Sequence, residues 1–126
     1  MKLTLPEPPS ANRYWRHAKG RTYLSAEALA YRDAVLRAWA SAKTTQRLLR
    51  KTGLRRMVGP ISFTFTWYRG RKSGDLDNRT KQLCDALRGY AYEDDSQIVE
   101  LHAYRVDRPR NPGVEVTIEH CTPKES

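Results

Sequence analysis

The chain has 126 residues, with 23 basic side chains against 14 acidic ones and a formal net charge of +9. Its 39% hydrophobic and 29% charged residues suit one soluble globular domain, 1–126, with residues 121–126 expected as a frayed polar tail. No apolar run reaches the length of a membrane span, no signal-peptide core opens the chain, and neither GxxxxGK[ST] nor GxGxxG occurs, which argues against a membrane partner and a nucleotide cofactor and for a cytoplasmic home. A pI near 9.9 points to an acidic partner, nucleic acid first among them.

In chain order, Lys2 to Leu5 reads as a short strand with Leu3 and Leu5 on one face, stopped by Pro6, Pro8 and Pro9. Ser10-Ala11-Asn12 reads as a turn. From Arg13 to Tyr23, the basic residues Arg13, Arg16, Lys19 and Arg21 alternate with Tyr14, Trp15 and Tyr23, a mixture that grips phosphates and stacks on bases. The same stretch also fits a hairpin whose aromatics pack on the core. Ser25 is placed to cap a long helix. Ala28, Tyr31, Val35, Ala38, Trp39 and Ala42 form its apolar stripe, and Leu29 and Leu36 widen it. The stretch from Lys43 to Val58 is basic and suits phosphate contact, part of it continuing the helix.

After Gly59-Pro60 comes the clearest strand, with Ile61, Phe63, Phe65 and Trp67 alternating with Ser62, Thr64, Thr66 and Tyr68. The basic loop Arg69 to Lys72 follows and leads to Gly74-Asp75-Leu76-Asp77-Asn78. Asp77 or Asn78 is placed to cap a helix running to about Arg88, with Leu83, Ala86, Leu87 and Tyr90 on its apolar stripe. Asp77, Lys81 and Asp85 step by four along another face. Gln97 to Val106 reads as a strand with Asp94-Asp95 at its start. Val114, Val116 and Ile118 mark a last strand, expected to form a hairpin with the one before it. The fold class expected is α+β, one mixed sheet with two main helices in the order β-hairpin-α-β-α-β-β.

The acidic residues carry the chemistry. On a strongly basic chain, five aspartates (75, 77, 85, 94 and 95) gather around Lys81. Clustered carboxylates repel unless a cation lies between them, and an all-oxygen set suits a hard ion such as Mg²⁺. A basic loop beside such a cluster offers a phosphodiester attraction and then metal at its phosphorus. Cys84 and Cys121 make no disulfide framework, and with His17, His102 and His120 they show no zinc spacing.

Four stretches, LPEPPSANRYWRH (5–17), GRTYLSAEALAYRDAV (20–35), DLDNRTK with DAL (75–87) and EDDSQIVE (93–100), together resemble the RusA-type Holliday junction resolvases nearly end to end. That family comprises small bacterial and phage endodeoxyribonucleases of DNA recombination and repair. The resemblance implies a homodimer that cuts four-way DNA junctions by paired nicks with Mg²⁺, for which Mn²⁺ is a substitute. It puts the catalytic and metal-binding carboxylates on Asp75, Asp77 and Asp95, with Asp94 a further candidate ligand. Lys81 becomes the important basic residue among the catalytic set, and Asn78 and Asp85 are supporting. DNA contacts fall on Arg13, Arg16, Lys19, Arg21, Arg69, Arg71 and Lys72. The chain departs from the family pattern in a longer, more basic 43–58 segment and a shorter link between DAL and the aspartate pair. The alternatives left by the residues alone are a non-catalytic nucleic-acid-binding module and a small metal-dependent RNase.

Overall fold

The computed structural model describes residues 1–49, 54–72 and 74–121, apart from the side chain of Asp77. Its elements run β1 (Lys2–Leu5), α1 (Ala11–Tyr14), β2 (Trp15–Ala18), β3 (Arg21–Leu24), α2 (Ala26–Leu48), β4 (Ile61–Arg69), α3 (Asp77–Leu87), a 3-10 turn (Asp95–Gln97), β5 (Ile98–Asp107) and β6 (Gly113–His120). The main sheet has the order β1-β6-β4-β5, and β2 and β3 form a separate antiparallel pair. The architecture is α+β with a mixed sheet, as the periodicities imply. Among the described residues no helix is long and apolar enough to cross a membrane. The frayed end expected beyond Cys121 lies outside the described residues.

β4 is the centre. Its side chains alternate strictly, with Ile61, Phe63, Phe65 and Trp67 buried and Ser62, Thr64, Thr66 and Tyr68 only partly covered. Each fully buried aromatic of this kind contributes about 2–3 kcal/mol by leaving water. On one side β4 pairs antiparallel with β6, which sets Phe63 against Ile118, Phe65 against Val116 and Trp67 against Val114. On the other it pairs in parallel with β5, with Ile61 beside Ile98 and Arg69 beside Asp107.

The last two strands therefore do not form the expected hairpin. β6 inserts between β4 and β1, where Leu3 and Leu5 meet Val116 and Val114. All three of its apolar side chains are then buried, which a place at the sheet edge would not allow. β5, with Glu100, His102 and Tyr104, takes the edge instead. The connection from Asp107 to Gly113 crosses the end of β4 at Gly70. A Cβ there would lie 3.0 Å from the Pro112 ring, so any larger residue would have to push that ring aside.

Ser25 caps α2, its hydroxyl accepting from the Ala28 N–H at 3.0 Å and donating to the Arg13 carbonyl. Ala28, Tyr31, Val35 and Trp39 are buried, with Ala38 and Ala42 packed beside them. Leu29 and Leu36 do not widen this stripe; both face solvent, because α2 rests on β1, α1 and α3 with one flank only. The basic 43–58 stretch divides. α2 takes it to Leu48, residues 50–53 lie outside the described residues, and Leu54 and Met57 return to the core. Ser10 to Asn12 opens the one-turn helix α1 instead of a plain turn. That helix buries Tyr14 completely, while Tyr23 on β3 stays half exposed. Ser25→Ala removes both hydroxyl bonds and is expected to destabilise the fold by roughly 1–2 kcal/mol, read as a lower urea midpoint at unchanged slope.

Candidate active site

The site region follows from how β4 is joined to β5. Two parallel neighbours need a crossover, and α3 is that crossover. It starts beyond the end of β4 and returns the chain to the start of β5. Its eleven residues span about 15 Å, against about 26 Å for the eight steps of β4. The aspartates are thereby divided between two ends.

At the first end, the chain leaves β4 through Arg69, which is not free for DNA. Its guanidinium donates to both carboxylate oxygens of Asp107, at 2.7 and 3.1 Å, and to the Gly74 carbonyl at 3.1 Å. Its hydrogen bonding to Asp107 holds the arginine pKa above its ordinary value; burial opposes this, and the charges of Asp107 and Asp75 add to the rise. Arg69 is thus a buried anchor for the loop, while Arg71 and Lys72 stay exposed. Gly74 sits at φ +94°, and a Cβ there would lie 3.0 Å from the Arg79 guanidinium and 3.3 Å from Trp67. The chain can therefore turn tightly against those two side chains, and exposed Asp75 follows. α3 begins at Asp77, so Leu76 occupies the cap position in place of Asp77 or Asn78. The Asn78 side chain accepts from the Ala11 N–H at 3.3 Å and ties the N-terminal segment to the helix.

Lys81 lies one turn further along α3, exposed, its ammonium 5.4 Å from the centre of the Trp15 ring. Among the other basic residues expected to meet DNA, Arg13, Arg16, Lys19 and Arg21 are all exposed, the last three on the β2–β3 hairpin.

At the far end of α3, Tyr14 donates its hydroxyl to Asp85. Burial first, and then this bond, push the phenol pKa well above its usual range, so it stays a donor. Asp95 lies in the 3-10 turn that leads into β5. Its Oδ1 is buried and has no hydrogen-bond partner among the described residues. Burial lifts the Asp95 carboxyl above the ordinary aspartate range; Arg88 opposes this, and the charges of Asp85 and Asp94 add to the rise. Asp94 is exposed and accepts from the Ser96 hydroxyl at 2.6 Å. Gln97 holds the whole turn. Its Oε1 accepts from the N–H groups of Glu93 and Asp94, and its Nε2 donates to the carbonyls of Met57 and Gly59, all at 2.9–3.0 Å.

The carboxylates thus form two groups, Asp75 and Asp77 where α3 begins and Asp85, Asp94 and Asp95 where it ends, with Lys81 between. Among the described residues no three His, Cys, Asp or Glu side chains converge as a ready-made metal site. Asp75 and Asp95 thus belong to opposite ends of α3. Sequence reasoning missed two residues here. Tyr14 read only as an aromatic in a basic stretch, and Arg79 drew no notice because nothing local marks it. The neighbouring thiol of Cys84 is pushed up to about 12, chiefly by burial. At pH 8 the native protein should therefore resist alkylation at Cys84, and labelling should follow unfolding in urea when peptides are mapped by mass.

A basic mixed-sheet domain with acidic groups at both ends of a crossover helix fits a protein that handles phosphodiesters. Comparison with known proteins gives the family. Residues 6–119 match the endodeoxyribonuclease RusA family. Proteins named crossover junction endodeoxyribonuclease RusA from Escherichia coli (strain K12), Shigella sonnei (strain Ss046) and Enterobacteria phage 82 are each 36% identical over 118 residues, covering 92% of this chain and 91% of theirs. The chain belongs to the RusA family and is a nuclease that hydrolyses phosphodiester bonds.

Proposed function

We propose that the chain is a single-domain, Mg²⁺-dependent resolvase of four-way DNA junctions that works as a two-fold homodimer in the cytoplasm, placing one nick from each of two sites. Family membership supports the substrate class, since the matching relatives are named for crossover junctions. One observation carries the two-chain part: Asp75 and Asp95 stand at opposite ends of α3. A two-fold axis sets Asp95 of one protomer against Asp75 and Asp77 of the other and builds two equivalent sites, matching the near two-fold symmetry of a four-way junction. The free edge of β5 supports a second copy. Val99, Leu101, Tyr104 and Val106 are about half exposed along an edge strand whose outer side has no strand beside it among the described residues and which begins beside Asp95.

The residues fit a divalent ion. The donors are carboxylate oxygens, and the buried Oδ1 of Asp95, which has no hydrogen-bond partner among the described residues, is open to serve as a ligand. Asp75, Asp77 and Asp95 would hold it, with Asp94 beside them. A bound divalent ion supplies an activated water and offsets charge growing on the phosphate. Lys81, held by Trp15, neutralises the pentacoordinate oxygens or the departing 3′ oxygen. Tyr14 fixes Asp85, which steadies the end of α3 that faces Asp95. The exposed cations Arg13, Arg16, Lys19, Arg21, Arg71 and Lys72 attract the DNA backbone.

The test is a synthetic four-way junction incubated with and without Mg²⁺, with nicks mapped to the nucleotide. Asp75→Asn and Asp95→Asn should each abolish cleavage and keep junction binding, and chelation should stop nicking. Mixing the two inactive variants should restore nicking to about a quarter of the wild-type level, because half of the dimers then hold one intact site. A mixture that stays inactive would return all three carboxylates to one chain. Lys81→Ala should lower the cleavage rate by roughly a hundredfold or more while changing junction affinity only several-fold, as gel shift beside single-turnover rates would record.

A further inference from the structure

A cleft of about 420 Å³ opens between the proline segment near the N-terminus and the start of α3. Its wall includes three guanidinium groups, Arg13, Arg71 and Arg79, against one carboxylate, Glu7. Glu7 is already engaged, its Oε2 accepting from the Trp67 indole N–H at 2.9 Å. Arg79 packs on the face of Trp67, 5.0 Å from the ring centre. Its Nε and Nη1 are buried and have no acceptor among the described residues. A desolvated cation without a partner is costly, and burial, with Arg13 nearby, holds the Arg79 pKa below its ordinary value against the pull of Glu7.

The walls are tied together. Asn78 accepts from the Ala11 N–H, and the Gln82 side chain donates to the carbonyls of Pro9, at 3.1 Å, and Asn78. The cleft is therefore formed before any ligand arrives, so little ordering cost attends binding. An occupant must be anionic, because two of the three guanidinium charges are left over after Glu7. It must also offer several oxygen acceptors in a small space, which is the chemistry of a phosphate.

We propose that this cleft is a subsite for a DNA backbone phosphate flanking the scissile one, with Arg79 as its central ligand and Arg13 and Arg71 closing over it. This deepens the nuclease reading and rests on it. The subsite adjoins Asp75, which follows Gly74 of the cleft wall directly and Arg71 by four residues, so a strand seated there has its next phosphates led toward the acidic end of α3. Arg79 acts in binding and positioning and takes no part in the bond-breaking step.

The experiment measures junction binding in EDTA, where cleavage does not enter, using wild-type protein, Arg79→Gln and Arg13→Gln. Arg13 is exposed and lies on the opposite wall, so its variant keeps the test decisive if Arg79→Gln fails to fold. Each variant should bind about tenfold more weakly, with the slope of log affinity against log salt reduced by about one. Junctions carrying a single uncharged methylphosphonate at successive positions then locate the contact. At one position the neutral linkage should weaken wild-type binding yet leave either variant unchanged, the sign of a shared interaction. Effects that simply add at every position, or salt slopes equal to wild type, would overturn the subsite and leave Arg79 a stacking partner of Trp67. Wild-type protein that bound no DNA at all would instead overturn the nuclease reading, and the subsite with it.

Discussion

Parallel strands cannot be joined by a tight turn, and the pairing of β4 with β5 makes the whole site depend on what lies between them. The segment that bridges them has to travel the length of the sheet, and here α3 does so. Residues just before α3 and residues just after it are therefore held apart by the helix itself. Asp75 and Asp77 fall on one side of this constraint, and Asp94 and Asp95 on the other.

The proline-rich segment near the N-terminus is the second organising element. Pro6 to Tyr14 is fastened to the rest by side chains from three directions. Tyr31 donates to the Pro6 carbonyl at 2.9 Å, Trp67 bonds to Glu7, and Asn78 and Gln82 hold the backbone from Pro9 to Ala11. Tyr14 closes the series on Asp85. A stretch with few backbone bonds of its own thereby becomes a rigid wall along α3, and the basic hairpin that follows it inherits a fixed position.

The positive charge of the chain is not one uniform surface. Arg69 is used up internally against Asp107 and the Gly74 carbonyl. Arg79 is enclosed against Trp67, Lys81 rests over Trp15, and Arg108 stacks 3.8 Å from the centre of the Tyr68 ring. The hairpin cations and those at Arg71 and Lys72 remain open to solvent. A net charge of +9 describes a long-range attraction, whereas the packing decides which individual cations can touch a phosphate.

Much was legible in the residues alone. The alternation of β4, the cap at Ser25 and the buried stripe of α2 depend on neighbours within a turn or two of chain, so local chemistry determined them. The same is true of the acidic pairs flanking a helix and of the RusA resemblance. What local chemistry could not decide was which strand lies beside which. Apolar alternation in β6 says that one face is buried, but not that it enters between β1 and β4. The exposure of Leu29 and Leu36 and the inward turn of Arg69 depend likewise on packing partners far along the chain. So does the gap between Asp75 and Asp95. Spacing along a sequence bounds distance only until the chain folds back, and here the path of a single helix between two parallel strands settled how far apart those acids stand.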